Sequence, residues 1–176
     1  MERNTGVVRG ITVETEAPGL SRKERARIEF DRFYETNRDQ LYRGVALVVK
    51  DPARARDAVD EAMARAWEQW DTVAGYRRPE AWVYRVGVNW AISSFRKRKP
   101  EVTDLEGLDP VHLDRVPAIE LSQAIDRLPL KQRVVVVARF FLDWSVEQTA
   151  EALGLSEGTV KSRTSRALAR LSKELR

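Results

Sequence analysis

Between Ile28 and Val45 the apolar side chains Ile28, Phe30, Phe33, Tyr34, Leu41, Tyr42 and Val45 recur at three-, four- and seven-residue intervals. That is the spacing of a helix facing a core. Asp51-Pro52 then reads as an N-cap followed by proline in the first turn, where the missing N–H removes no helical bond. From there Ala55, Val59, Ala62, Met63, Ala66 and Trp70 share one face, while Asp57, Asp60, Glu61 and Arg65 fall largely elsewhere. Gly75 and Pro79 bracket a break, and Glu80 to Lys99 reads as a further helix. Pro100 to Pro117 holds Gly107 and Pro110 and sustains no period, which predicts a linker.

The pattern resumes at Leu121 to Leu128, and Pro129 starts the next helix at Leu130. The run Val134 to Val137 prefers strand locally, because β-branched side chains suit a pleated surface. Its flanks and the absence of a partner strand nearby favour a buried helix instead. Ser145 with Gln148 forms a capping box for the next helix; Gly154 stops it, and Ser156 caps a last helix running to the C-terminus. Helix, tight turn and helix from Trp144 to Leu171 is the arrangement of a helix-turn-helix, whose second helix enters the major groove. The expected fold is all-α: a disordered tail at 1–24, a helical domain at 25–99, a flexible acidic linker at 100–120 and a helix-turn-helix domain at 121–176.

Composition narrows the function. The 176 residues carry a formal charge of +4, too small by itself to indicate a partner. Divided along the chain it is informative: 20 basic and 15 acidic groups in 1–100, one against six in 101–122, and 10 against 6 in 123–176. Two basic blocks flank an acidic spacer. The absence of cysteine excludes disulfides, thiolate zinc sites and thiol catalysis. The single histidine, His112, stands alone in the acidic stretch, and Asp57, Asp60 and Glu61 lack the further ligands a metal needs. No nucleophile–base pair is evident, so neither an enzyme nor a cofactor, metal or small-molecule site is expected. The longest apolar runs, Val45 to Val49 and Val134 to Ala138, fall far short of the ~20 residues that span a bilayer, and the first twenty residues lack an apolar signal core. The expectation is a soluble cytoplasmic protein without a membrane partner.

Two helices carry candidate chemistry. On the last, Val160, Thr164, Ala167, Leu168 and Leu171 fill an arc of about 100°, and five basic residues with no acid lie between Gly158 and Lys173. Thr159, Lys161, Ser162, Arg163 and Arg166 sit at the end from which a recognition helix reaches bases and phosphates. On the helix Glu80 to Lys99, Tyr84, Val88, Ala91 and Phe95 form one apolar face and Val83, Val86 and Trp90 another. Arg85, Asn89, Ser93 and Arg96 make a polar stripe between them, and Arg96, Lys97, Arg98 and Lys99 follow. Aromatics beside a cationic track suit single-stranded nucleic acid, whose bases stack on rings. Trp82, Tyr84 and Trp90 would serve equally as core residues.

The sequence resembles an extracytoplasmic-function sigma factor of the sigma-70 family over roughly Glu29 to Leu171. Asp57-Ala58-Val59-Asp60-Glu61-Ala62-Met63-Ala64-Arg65-Ala66-Trp67 looks like the family's region 2.2. Trp82-Val83-Tyr84-Arg85-Val86-Gly87-Val88-Asn89 is similar to its region 2.3–2.4 signature. Leu128-Pro129 with Arg133, Gly158-Thr159-Val160-Lys161-Ser162-Arg163 and Arg166-Ala167 resemble region 4.

The resemblance implies a polymerase subunit that directs promoter-specific initiation. Asp57, Asp60, Glu61, Arg65 and Trp67 would meet core RNA polymerase at the β′ clamp helices, with the β flap as a second contact. Trp82, Arg85, Asn89 and Ser93 would read the −10 element as it melts, with a base flipped out near the loop before Trp82 or beside Asn89. Arg96, Lys97 and Arg98 would hold the single-strand backbone, and Thr159, Lys161, Ser162, Arg163 and Arg166 would read the −35 element. The family is commonly held by a separate anti-sigma factor, a possible further partner. Ser93-Ser94 departs from the Asp followed by a basic residue or histidine found in many relatives, and Ser165 from a frequent aromatic or branched apolar residue. Those differences bear on promoter sequence and leave the role intact. The alternative is a helix-turn-helix repressor or activator acting without the polymerase core.

Overall fold

A computed structural model of the chain describes residues 19–97 and 119–175, and every regular element among them is helical. In order these are α1 (Arg22–Val49), α2 (Pro52–Glu68), α3 (Trp70–Val73), α4 (Pro79–Lys97), α5 (Ile119–Asp126), α6 (Leu130–Val136), a π-turn (Val137–Phe141), α7 (Val146–Leu153) and α8 (Glu157–Glu174). The expected segments at 1–18 and 98–118, with Arg98 and His112, lie outside the described residues.

Local chemistry sets the helix ends. Ser21 accepts a hydrogen bond from the Glu24 N–H while Glu24 reaches back to the Ser21 N–H, a capping box that starts α1 at Arg22. The expected tail at 1–24 therefore runs three residues too far, because the box draws 22–24 into the first turn of α1. Asp51 caps α2 through the Arg54 N–H at 2.9 Å, with Pro52 in the first turn. The expected linker at 100–120 likewise overlaps α5, which begins at Ile119. The valine run is helical, as its flanks indicate, but from Val137 it widens into the π-turn. Leu142 N–H then bonds the Val137 carbonyl at 3.0 Å, and Asp143 turns the chain at φ 55.

The first four helices form one unit. Phe30 and Phe33 of α1 meet Trp70 at ring separations of 5.1 and 5.0 Å, the Phe30 contact edge-on at 83°. Ala55, Ala58, Val59, Ala62, Met63 and Ala66 bury the inner face of α2. Small residues there let α4 approach closely: a β-carbon at Gly87 would lie 3.2 Å from the Ala58 carbonyl. The second unit has two small cores. Val135, Ala150 and Val160 hold the helix-turn-helix, while Ala167 and Leu171 pack on Ala124, Ile125, Leu128 and Val136. Gly154 turns the chain at φ 62, the left-handed conformation glycine adopts without a Cβ penalty. Leu168, expected on the apolar arc, is 45% exposed. The elements covering α8 reach only the narrower stripe of Val160, Ala167 and Leu171, and Leu168 lies at its edge.

The two units also share a core. Val137, Ala138, Leu142, Trp144 and Ala152 are buried in the same cluster as Leu41, Val45, Tyr84 and Val88. Leu142 seats against Gly44, where a β-carbon would come within 3.2 Å of it.

Candidate nucleic-acid interface

On α4 the structure separates the aromatic residues by role. Tyr84 is fully buried, its ring edge-on to Trp144 at 5.4 Å and 86°, its hydroxyl donating to the Val134 carbonyl at 3.2 Å. Burial pushes its phenol well above the ordinary value near 10, because the ionised form would lose its hydration. Tyr84 is thus a core residue. Trp90 is half-buried against the same core. Trp82 is half-buried but also lines a cleft of about 300 Å³ with Tyr76, Arg77, Arg78 and Arg85.

Arg85 is half-buried, while Asn89 and Ser93, one and two helical turns on, are exposed. Residues four apart lie above one another on a helix, so the three form one polar line. None of the three makes a side-chain hydrogen bond or ion pair among the described residues. Of the cationic continuation, Arg96 and Lys97 belong to α4, their side chains lying outside the described residues. Tyr76, Arg77 and Arg78 were missed by sequence reasoning. Two adjacent arginines just before the Pro79 helix start were the available signal.

On α8, Ser156 caps the first turn through the Thr159 N–H at 3.2 Å, and its hydroxyl meets that of Thr159 at 2.9 Å. Thr159 is thereby engaged within the turn and half-buried. Lys161 pairs with Glu157 at 3.1 Å, and the Ser162 hydroxyl donates to the Thr159 carbonyl at 3.1 Å. Arg163 is half-buried and Arg166 exposed, neither in an ion pair among the described residues. Both guanidinium groups can therefore meet phosphate or a base edge without first breaking an internal bond.

The outer face of α2 carries the third candidate surface. Asp57, Asp60 and Arg65 are exposed and Glu61 half-buried. Arg65 and Glu61 bond each other at 2.7 Å. Trp67 is 40% exposed although its ring lies 5.1 Å from Phe30, and a shallow depression joins it to Asp60, Met63 and Tyr34. A large aromatic held half in solvent beside charged residues has the composition of a protein contact.

Comparison with known proteins covers all three surfaces. The family described as sigma-70 region 2 matches residues 33–101, and sigma-70 region 4 matches 118–171. The RNA polymerase sigma-E factor of Streptomyces coelicolor is 39% identical over 153 residues, covering 84% of this chain and 86% of that protein. The ECF RNA polymerase sigma factor SigM of Mycobacterium tuberculosis is 35% identical over 154 residues, 85% of this chain and 78% of that one. Among solved structures, the sigma factor RpoE in complex with the anti-sigma factor NepR from Bartonella quintana superposes with a TM-score of 0.70. It is 25% identical and covers 84% of this chain and 96% of that one.

Proposed function

The chain belongs to the sigma-70 family, among its extracytoplasmic-function members, and we propose that α4 and α8 are the surfaces with which it reads the −10 and −35 promoter elements. It directs transcription initiation as a specificity subunit of RNA polymerase, binding the core enzyme and promoter DNA. One observation carries the assignment to α4: Arg85, Asn89 and Ser93 form a line of polar side chains without partners among the described residues, beside Trp82 and an arginine-lined cleft.

Single-stranded DNA needs a ring to stack on and cations for its backbone. Trp82 with Arg77, Arg78 and Arg85 supplies both around a cleft that would hold an unstacked base, and Asn89 and Ser93 supply donors and acceptors for base edges. Asp57, Asp60, Glu61, Arg65 and Trp67 form the face offered to the polymerase core. The chain then acts by binding alone, with no chemistry of its own. Among the described residues no helix is long and apolar enough to cross a membrane, and its work lies in the cytoplasm with the polymerase. An anti-sigma factor is a further partner, since the RpoE structure is that of a complex with one. A free-standing repressor or activator is not favoured, because it would need no region 2.

Two substitutions test the assignments. Arg163→Ala should weaken binding to duplex carrying the −35 element by about 1–3 kcal/mol if the contact is bidentate, read as a loss of roughly 5- to 150-fold in holoenzyme affinity. A uniform small loss on every −35 variant would make Arg163 a phosphate contact instead. Asn89→Ala should leave core-polymerase affinity intact and flatten the ranking of −10 variants in transcription. An unchanged ranking removes Asn89 from base reading.

A further inference from the structure

Glu157 stands exposed in the first turn of α8, next to the Ser156 cap. From Leu153 to Lys173 it is the only acidic residue, against five basic ones. A carboxylate at this end of the helix repels DNA phosphate, so backbone binding gives no reason for it. Stability gives little more, because the ion pair it makes with Lys161 is more than half exposed on both sides. The helix dipole favours an acid in any first turn, and does not require one that holds Lys161.

Most of the other polar groups of that turn are engaged within the helix. The Ser156 and Thr159 hydroxyls meet at 2.9 Å, and Ser162 donates to the Thr159 carbonyl at 3.1 Å. The Lys161 ammonium lies 3.1 Å from Oε2 of Glu157, while Oε1 accepts no hydrogen bond among the described residues. An ammonium has three donors, so two stay free. The ion pair therefore presents a donor and an acceptor side by side at the end from which a recognition helix meets base edges.

A G·C pair carries the complementary arrangement. Guanine O6, an acceptor, and cytosine N4, a donor, bond each other at about 2.9 Å. Both stay open to the major groove, with guanine N7 a second acceptor beyond O6. Lys161 over O6 and N7, with Glu157 over N4, satisfies every group while the ion pair stays whole. The nearest competitor is T·A in the same orientation, where thymine O4 and adenine N6 repeat the acceptor and the donor. There the thymine methyl lies beside the ammonium, and adenine N7, an acceptor, beside the carboxylate. The reversed pairs, C·G and A·T, set acceptor against carboxylate and donor against ammonium.

We propose that the Glu157–Lys161 ion pair reads as one unit and selects a single G·C pair of the −35 element in one strand orientation, Glu157 being the specificity-determining residue for its cytosine. The inference rests on α8 being the −35 reader.

The test is binding of the reconstituted holoenzyme to promoters in which each −35 position is varied in turn through all four pairs. The unsubstituted chain should favour G·C at one position by about fivefold or more over C·G. Glu157→Ala should lose the distinction between G·C and T·A at that position alone. Glu157→Gln should raise T·A there to at least the level of G·C, because an amide meets adenine N6 and N7 together. The charge-reversed Glu157→Lys/Lys161→Glu chain should prefer C·G. An Ala variant that ranks every position as the unsubstituted chain does, or that only binds all sequences more tightly, overturns the ion-pair reading and leaves the α8 assignment standing. An unsubstituted holoenzyme indifferent to every −35 change would overturn the α8 assignment itself and the ion-pair reading with it.

Discussion

Tyr84→Ala is expected to lower stability by about 3–5 kcal/mol, the cost of removing a large aromatic from a packed core, measured by urea unfolding followed by circular dichroism. Tyr84 lies where α1, α4 and the π-turn converge, so its removal empties a space bordered by Gly44 and Trp144. Whole domains are stable by about 5–15 kcal/mol, so the variant should lose a large part of its reserve. Tyr84→Phe keeps the ring and loses only the bond to the Val134 carbonyl, an expected cost of about 0.5–1.5 kcal/mol. A Phe variant as unstable as the Ala variant would mean that the hydroxyl, not the ring, holds the core.

The same residue predicts an alkaline response. Its folded phenol holds its proton far above the ordinary value near 10. The unfolded chain releases that proton above pH 10 and the folded chain keeps it, so the stabilisation is complete below pH 10 and falls as pH rises. One such group contributes a slope of up to about 1.4 kcal/mol per pH unit. Unfolding between pH 10 and 11 should show wild type losing about 1 kcal/mol more stability than Tyr84→Phe. Parallel slopes would show that Tyr84 is open to water in solution.

How far the chain could be read without coordinates follows from what periodicity encodes. Periodicity reports that a helix has an apolar face, and it located α2, α4 and α8 well because proline, capping residues and Gly154 punctuate them. It does not report what covers that face. Tyr84 and Trp82 are two residues apart, on different faces of one helix; the sequence left both open between stacking surface and core. The structure makes Tyr84 core because the π-turn brings Trp144 against it, a contact between residues 60 apart that no local pattern announces. The seam between the units was invisible for the same reason. Charge partition suggested two domains joined by an acidic spacer and gave no sign that apolar Leu142 and Trp144 pack the second unit into the core of the first. The residues proposed for the promoter and polymerase surfaces stand in contiguous motifs, whereas Arg77 and Arg78 reach the cleft from the loop before α4.

Arg133→Met should destabilise the chain by about 3 kcal/mol, and the loss should fall on the junction of the two units. Arg133 is only 8% exposed, and its guanidinium donates to Val48 at 2.7 Å and to Leu128 at 3.0 Å. Val48 lies in the last turn of α1, where carbonyls have no helical partner and the helix dipole is negative; Leu128 precedes Pro129, at the turn into α6. Burial lowers the arginine's proton affinity, partly offset by the charge of Asp126, yet arginine stays cationic at any physiological pH. Each charge-assisted bond contributes about 1.5–3 kcal/mol, and two made by one side chain add incompletely. Methionine has similar reach and no donor, so it would leave both carbonyls facing an apolar neighbour. Lysine keeps the charge but lacks the planar fork that meets two acceptors at once, so Arg133→Lys should recover about half of the loss. Urea unfolding read by tryptophan fluorescence measures both variants, because Trp144 reports the seam and Trp70 the first unit. A loss below about 0.5 kcal/mol for Arg133→Met, within the range of ordinary surface substitutions, would mean that water replaces the guanidinium and that the α1 terminus is not closed by the second unit.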